Sequence, residues 1–210
     1  MNGLQKVTAF VTRGTGPAAE LLVFRHPTAG VQVPAGTVEI GETVEAAVLR
    51  EVYEETGLAN VQIMGKLQVS QQTLSQDERV VWRMTKVFDA PAADASGTGF
   101  LFRRGTPVRY LGADGKFARV SYEEYDLNQP ATLPLVSVNG WVRRSILTDR
   151  LERHHFHLTT GIETPAAWPV FSDGHFFQLY WAPLQPRPRL IPPQDSWLEE
   201  VYAELLARTT

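Results

Sequence analysis

The sequence predicts a mixed α/β sandwich, and three observations lead to this class. Hydrophobic residues make up 43% of the chain and charged residues 20%, as in ordinary globular proteins. Short apolar stretches rich in β-branched residues recur along the chain and indicate strands. Two longer stretches, 43–56 and 197–208, consist mainly of good helix formers. Strands interspersed with two long helices are typical of such a sandwich.

The first part of the chain predicts three strands, and the third leads into a glycine-containing loop. A Gly-rich turn, Arg13 to Gly16, separates the first two, and Pro34 closes the third. The predicted strands are Lys6–Thr12, Glu20–Arg25 and Val31–Val33.

A helix is predicted from Thr43 to Thr56, where Gly and Pro are absent. Gly57 follows in the position that glycine commonly takes after a helix. One side of this helix is expected to pack on the sheet through Leu49, Val52 and Tyr53.

Further strands are predicted after the helix, and the chain ends in a second helix. A proline-rich surface connection occupies residues 183–193. Ser196 with Glu199 has the spacing of a capping box for the last helix. Its apolar stripe, expected to dock on the sheet, is Leu198, Val201, Tyr202 and Leu205. The intervening segments are strands at 61–69, 79–88, 154–158 and 175–181, a small-residue linker at 91–99, and a hairpin at 107–120 with its turn at 112–115.

Composition and charge restrict the class of protein further. The chain has 210 residues, a net charge of -3 and no cysteine, so disulfides and thiolate chemistry are excluded and a reducing cytoplasm is expected. The mildly acidic balance does not favour nucleic acid as a partner. The N-terminus lacks a signal peptide's apolar run, and no stretch is long and apolar enough to span a membrane, so no membrane attachment is expected.

Three glutamates crowd one face of the first predicted helix. Glu51 lies three and four residues before Glu54 and Glu55, and residues at these spacings are neighbours on a helix. Each like-charged pair costs roughly a few tenths of a kcal/mol when exposed and more when partly buried. Arg50 can offset one of these charges but cannot serve all three. A hard divalent cation, Mg²⁺ or Mn²⁺, suits several carboxylate oxygens and resolves the conflict.

The loop before this helix predicts the rest of the site. Gly36 follows Ala35 there, and a glycine lets the backbone approach a ligand closely. A loop carbonyl can therefore complete the coordination of an ion that the helix carboxylates bind. Since Mg²⁺ takes its remaining ligands from water and substrate phosphates, the sequence predicts a metal-bridged phosphate site.

The pattern resembles the Nudix box, Gly-x5-Glu-x7-Arg-Glu-U-x-Glu-Glu-x-Gly-U, where U is aliphatic. All nine specified positions match, and a chance match is on the order of one in a billion per window. The matching residues are Gly36, Glu42, Arg50, Glu51, Val52, Glu54, Glu55, Gly57 and Leu58.

The resemblance implies an α/β/α sandwich and a Mg²⁺- or Mn²⁺-dependent enzyme. Nudix hydrolases cleave a pyrophosphate bond in a nucleoside diphosphate that is linked to a further group. Carried onto this chain, the resemblance implies that Glu51 and Glu55 bind the metal, joined by the carbonyl of Ala35. It implies that Glu54 is a further ligand or a partner of the attacking water. The general base would be Glu51 or a carboxylate outside the box.

The supporting residues of the box follow from the same resemblance. Arg50 is expected to orient a box glutamate and to act in the catalytic set with Glu51 and Glu54. The residues expected to support the loop are Gly36, Glu39 and Glu42.

The box occupies residues 36–58, so the rest of the chain needs its own interpretation. A Nudix core needs strands before the box and strands plus a helix after it, and the two ends of the chain supply these. We therefore expect a single domain with its core in 1–72 and 151–210. Residues 73–150 would then be a β-rich insertion that acts as a lid or as the arm of a homodimer. The alternative is a core that ends near residue 130, followed by a C-terminal extension.

Three hypotheses for function follow. The leading one is hydrolysis of a small nucleotide, whose identity stays open because residues 73–76 lack the proline or tyrosine that marks some Nudix subgroups. The second is a catalytically silent Nudix-fold sensor or regulator, which loss of box glutamates would mark, and none is lost. The third is a processor of capped RNA, which the acidic balance disfavours.

Three further groups of residues carry weaker signals. A histidine cluster suits a transition-metal site, although ordinary polar strand positions are the preferred interpretation. A basic run suits phosphates, although a solvated surface is preferred. Several aromatic residues suit base stacking, although core packing is preferred. These groups are His154, His155 and His157; Arg143, Arg144, Arg150 and Arg153; and Trp168, Phe176, Tyr180 and Trp181.

Overall fold

The chain folds into two compact units, and the computed structural model describes residues 3–126, 133–172 and 174–210. We call Gln71–Glu152, together with the first four residues of the chain, the central unit. Gln5–Ser70 and Arg153–Thr210 form the flanking unit.

The described residues form strands and two α-helices, with short 3₁₀ turns at Gly16–Ala18 and Arg144–Ile146. The helices are α1 (Val44–Thr56) and α2 (Gln194–Arg208). The strands are β1 (Leu4–Arg13), β2 (Glu20–His26), β3 (Gly30–Gln32), β4 (Ala35–Thr37), β5 (Val61–Thr73), β6 (Glu78–Val81), β7 (Thr85–Phe88), β8 (Gly97–Phe102), β9 (Pro107–Asp114), β10 (Phe117–Glu124), β11 (Val136–Arg143), β12 (Leu147–Thr148), β13 (Arg150–Thr160), β14 (Ala167–Ser172) and β15 (His175–Pro183).

The flanking unit is built on a sheet with the order β14-β15-β2-β1-β13-β5, with β3 paired to β2 and β4 paired to β1. Alternate residues of β2 face opposite sides of this sheet. Leu22 and Phe24 belong to the core that includes α1, whereas Leu21 and Val23 belong to the core that includes α2. The helices therefore cover opposite faces, and the predicted α/β/α sandwich is confirmed.

The buried face of α1 differs from the predicted one. Val52 is fully buried, but Leu49 is 37% exposed and Tyr53 is 58% exposed. The helix instead buries Ala47 and Val48 beside Val52. The prediction for Leu49 and Tyr53 was wrong, because each lies one position, about 100° of helix rotation, beyond the buried pair Val48 and Val52.

The stripe of α2 packs on the sheet as predicted, but the helix begins earlier. Leu198, Val201 and Leu205 are buried there, and Tyr202 is partly buried. The cap residue of α2 is Pro193 rather than Ser196, and no side chain caps it. Gln194 accounts for the earlier start, because its buried side-chain oxygen accepts a hydrogen bond from the backbone N–H of Val33 at 2.6 Å. No helix in the described ranges is long and apolar enough to cross a membrane.

The central unit is a sheet with the order β12-β6-β9-β10-β11-β7-β8. Its buried core is mostly valine, with Phe102 at one end of β8. The predicted hairpin is present, but Asp114 pairs with Phe117, so the turn is only Gly115 and Lys116. A turn of two residues suits a tight hairpin, and Gly115 has the positive φ, 53°, that such turns commonly need.

Strand pairing in the central unit overrides several local predictions. The predicted strand at 79–88 is divided into β6 and β7, which pair with different partners. β8 begins at Gly97, inside the predicted linker, because it pairs with β7. β11 was not predicted, and neither was β14 in the flanking unit. β14 pairs with the next strand, β15, and β11 pairs with β10 and β7. These pairings formed strands where local propensity gave no signal.

Candidate active site

Helix α1 carries the crowded glutamates and is held firmly at both ends. The Thr43 hydroxyl accepts a hydrogen bond from the N–H of Ala46 at 3.1 Å. At the other end, Gly57 takes a left-handed conformation with φ 74° and donates its N–H to the carbonyl of Tyr53. These two ends confirm the predicted helix boundaries and fix the rotation at which the glutamates emerge.

Glu51 lies against the backbone of β4 at Gly36. A Cβ atom built on Gly36 would fall 1.9 Å from the Glu51 carboxyl carbon, so any other residue would displace that carboxylate. The Glu51 side chain is only 12% exposed. The glycine of the box is therefore required by the close approach of one carboxylate to one strand.

Arg50 links carboxylates on both sides of the loop. Its guanidinium binds Glu42 in a fork, with Nε to Oε1 at 2.9 Å and Nη2 to Oε2 at 3.0 Å. Nη1 donates to Glu51 at 2.9 Å and to Glu54 at 3.0 Å. Nη2 also donates to the carbonyl of Thr37 at 3.1 Å. Arg50 thus pairs with two of the three crowded glutamates, which is one more than the sequence suggested.

Glu55 turns toward β4 rather than toward Arg50. Its Oε2 accepts a hydrogen bond from the backbone N–H of Ala35 at 3.0 Å. Since Gly36 meets Glu51, the backbone of two consecutive residues of β4 contacts two box carboxylates. β4 was predicted as part of a loop, but it pairs with β1 through Thr8 and Ala35, which holds this backbone in place.

The carboxylates of the site titrate in different directions. Burial raises the pKa of Glu51, and the lowering effect of Arg50 does not compensate for it. Hydrogen bonding to Arg50 lowers the pKa of Glu42. The pKa of Arg50 is raised, chiefly by Glu42. The shifts of Glu42 and Arg50 therefore favour their charged forms, whereas the shift of Glu51 favours its neutral form.

The carboxylates beside β4 are oxygen donors of the kind that a divalent ion binds. Over the described ranges, no group of three or more His, Asp or Glu side chains is arranged to hold a metal ion. The structure does bring Glu51 and Glu55 to the same short strand, while Glu54, half exposed, turns to Arg50. Two carboxylates are what Mg²⁺ commonly takes from a protein when water and phosphates supply the other ligands. The chemistry of Glu51 and Glu55 therefore fits such an ion.

The comparisons with known proteins agree with this geometry. The family model for the NUDIX domain matches residues 4–101. Residues 4–101 contain a Nudix domain. A stretch of 55 residues is 47% identical to the NAD-capped RNA hydrolase NudC of Deinococcus radiodurans, covering 25% of this chain and 20% of that protein. The likeness to that Nudix protein is thus confined to about a fifth of its length.

The histidine cluster is buried in the flanking unit. His155 is fully buried, and His157 is 3% exposed and hydrogen bonded through Nε2 to the Thr12 hydroxyl at 2.8 Å. Burial lowers the pKa of both rings to about 4. These are neutral core histidines, in agreement with the preferred interpretation of polar strand positions.

The aromatic residues mostly serve the core. The Trp168 indole donates to the carbonyl of Thr56 at 3.0 Å, and the Trp181 indole donates to the Thr164 hydroxyl at 2.9 Å. Phe176 is the exception, with 70% exposure beside the exposed Phe171.

One hydrogen-bond partner in the site is not part of the box motif. The Thr37 carbonyl accepts a hydrogen bond from Arg50, and a pattern of side chains carries no signal for a backbone acceptor. Substrate-binding residues were not predicted from the sequence. The four cavities that we describe lie in the central unit, and no box residue lines any of them.

Proposed function

We propose that the chain is a Mg²⁺- or Mn²⁺-dependent pyrophosphohydrolase of a nucleoside diphosphate linked to a further group. The observation that supports it most is the approach of Glu51 and Glu55 to consecutive residues of β4, with Gly36 leaving the space that the Glu51 carboxylate occupies. This arrangement puts two hard oxygen donors beside a strand backbone, which suits an ion bridging to phosphates.

The box residues have different roles in the proposed reaction. Glu51 and Glu55 would hold the ion, together with the backbone carbonyl of Ala35. When bound, the divalent ion neutralises charge on the pyrophosphate and acidifies the attacking water. Glu51 or a carboxylate outside the box removes the proton of that water, and Glu54 is a further ligand or a partner of the water.

The remaining polar residues of the box act as positioning residues. Arg50 keeps Glu51 and Glu54 at fixed distances through one nitrogen atom. Glu42 anchors Arg50 and accepts the backbone N–H of Glu39 at 2.9 Å, so it supports the loop before α1.

The substrate class is a small nucleotide, and NAD-linked substrates belong in the first panel. The similarity to a hydrolase of NAD-capped RNA, although it covers a fifth of that protein, favours testing NAD(H) and NAD-capped RNA beside sugar nucleotides, ADP-ribose and nucleoside triphosphates.

The test is hydrolysis of this panel with Mg²⁺ or Mn²⁺, with chromatography of the products and EDTA as the metal control. Glu51→Gln and Glu55→Gln are expected to lower turnover by several orders of magnitude while the circular dichroism spectrum is retained. Glu45→Gln is the matched control, because Glu45 is an exposed glutamate in the first turn of the same helix.

Two outcomes would contradict the proposal. Turnover at the wild-type level in Glu51→Gln would show that the box does not perform the chemistry. Calorimetric binding of a panel nucleotide without product would support the second hypothesis, a catalytically silent sensor.

We also propose that residues 73–150 are an insertion in the Nudix core and serve as the arm of a homodimer. The compact central unit supports the first part, because the flanking unit has its own sheet and two helices. Analytical ultracentrifugation of the full chain tests the second part, and a monomer at high micromolar concentration would exclude the dimer arm.

A further inference from the structure

Two adjoining cavities in the central unit share Arg144. The first, of about 410 Å³, is lined by Arg79, Tyr110 and Arg150 among others, and we call it the arginine cavity. The second, of about 460 Å³, is lined by Lys116 and Arg143, and we call it the lysine cavity. The two cavities therefore meet at Arg144, which lines both.

The charge of this surface is strongly one-sided. The two cavities have five cationic lining residues, Arg79, Lys116, Arg143, Arg144 and Arg150, against one acidic residue, Asp149. The segment 71–152 as a whole is nearly balanced, with eleven Lys and Arg against ten Asp and Glu. The positive charge is therefore concentrated at the cavities rather than spread over the unit.

A third cavity of the same unit provides a contrast. It is larger, at about 530 Å³, and it is lined by Asp77, Glu78 and Glu123 together with Arg79 and Arg109. Size alone therefore does not distinguish the two basic cavities. Their charge does, because an anion in the larger cavity would face more acids than bases.

Neither Arg144 nor Arg150 has a carboxylate within ion-pair distance in residues 3–126, 133–172 and 174–210, and both are exposed. Backbone contacts nevertheless hold both residues in place. The N–H of Arg144 donates to the carbonyl of Lys116 at 2.9 Å, and the N–H of Arg150 donates to the Thr148 hydroxyl at 3.1 Å. The backbone of each residue is therefore fixed, and its guanidinium group is not neutralised, which leaves the fork available for anionic oxygens.

Arg79 is oriented in a different way. Its Nη1 donates to the backbone carbonyls of Ser75 and Gln76, and its guanidinium lies over the Tyr110 ring at 4.9 Å. The cation covers one face of the ring, so that face does not take a base.

We propose that the two basic cavities form one binding site for a ligand with two or more linked phosphate groups. Arg144 lies at the centre, Arg79 and Arg150 bind one phosphate, and Lys116 and Arg143 bind the next. The linked phosphates belong either to a short single-stranded oligonucleotide or to a free polyphosphate. The site lies outside the Nudix box, and the proposal does not depend on the proposed hydrolase activity.

The test measures binding by the full-length protein in EDTA, so that no metal-dependent hydrolysis consumes the probe. One probe is a fluorescein-labelled ten-nucleotide oligouridylate, followed by anisotropy. The other is sodium tripolyphosphate, followed by calorimetry and by displacement of the labelled oligonucleotide. Arg144→Gln is expected to weaken binding at least about tenfold, because both cavities lose a cation. For the oligonucleotide, the salt dependence of log K is expected to fall by roughly one for each arginine removed.

Two matched variants keep the result interpretable. Arg109→Gln removes an exposed arginine that pairs with Asp77 and lines only the third cavity, and it is expected to change binding less than about twofold. Asp149→Asn removes the one carboxylate of the arginine cavity and is expected to tighten binding. Thermal melts that match the wild type would show that each variant is folded.

Each outcome decides the proposal. Displacement of the oligonucleotide by tripolyphosphate supports the site and shows that phosphates alone suffice. Binding of only the oligonucleotide supports the site with a nucleic-acid backbone as its ligand, and binding of only tripolyphosphate supports a free polyphosphate. No binding of either probe at low salt, or an equal loss in Arg109→Gln and Arg144→Gln, would overturn it.

Discussion

The Nudix box of the flanking unit and the basic cavities of the central unit concentrate charge in opposite ways. In the box, Arg50 binds Glu42, Glu51 and Glu54, and Glu55 accepts a backbone N–H. In the cavities, neither Arg144 nor Arg150 forms an ion pair with a carboxylate of the described residues. A catalytic constellation needs fixed distances between its own groups, whereas an electrostatic binding surface needs charge left available for a ligand.

The largest expected effect is that of a substitution at Gly36 in the box, and a substitution at Gly140 in the central sheet is its comparison. A Cβ on Gly36 would meet the flexible end of Glu51, so Gly36→Ala displaces that carboxylate with little loss of stability. We expect turnover to fall at least about a hundredfold, since one misplaced catalytic group commonly costs that much. Steady-state kinetics with the best substrate of the panel, together with a urea titration, measures both quantities.

Gly140→Ala is the counterpart, with the opposite expectation. A Cβ on Gly140 would lie 2.7 Å from the carbonyl oxygen of Phe88, and this backbone cannot swing away. Overpacking of this kind costs about 1–3 kcal/mol of unfolding free energy. Turnover per folded molecule is expected to stay at the wild-type level. A Gly36→Ala variant with full turnover would contradict the role of the space beside Glu51.

The next effect concerns acid stability, and it is restricted to one unit. All five histidines lie outside residues 71–152, and burial lowers the pKa of His155 and His157 to about 4. In the unfolded chain the pKa is about 6.5, so between pH 6.5 and 4 the unfolded state binds more protons. The contribution of these histidines to the unfolding free energy is therefore fully present above pH 6.5. Below pH 6.5 this contribution falls by up to about 1.4 kcal/mol per pH unit for each histidine.

Denaturant titrations at a series of pH values measure this slope. His157→Gln is expected to reduce it, while Thr12→Val removes the hydrogen-bond partner of His157 and lowers stability by about 1 kcal/mol without removing the titrating ring. Equal slopes in the wild type and in His157→Gln would contradict the assignment of acid sensitivity to this buried ring.

The smallest expected effect concerns the exposed side of α1. Tyr53 is 58% exposed, so Tyr53→Ser is expected to change unfolding free energy by less than about 0.5 kcal/mol, whereas Val52→Ala on the buried side costs more. Thermal melts of the two variants compare them directly. A loss for Tyr53→Ser as large as that for Val52→Ala would show that Tyr53 packs in solution.

Local sequence predicted those features whose causes lie within a few residues. The ends of α1 follow from Thr43 and Gly57, and the crowding of Glu51, Glu54 and Glu55 follows from helix periodicity. The start of α2 was missed, because Gln194 is drawn into the helix by a contact with Val33, far away in the chain. The division of residues 79–88 into β6 and β7 was missed for the same reason, since each strand is defined by its own partner.

The sequence by itself determined the Nudix box, the α/β/α class and the helix that carries the three glutamates, since nine spaced residues and two amphipathic helices are local patterns. Only the tertiary structure decided how the charges are shared. It directed Arg50 to Glu42, Glu51 and Glu54, turned Glu55 to β4, and brought Arg79 beside Arg144 and Arg150 at one cavity. The physical reason is that electrostatic interactions depend on distances in space, and strand pairing sets these distances between residues that lie far apart in the chain.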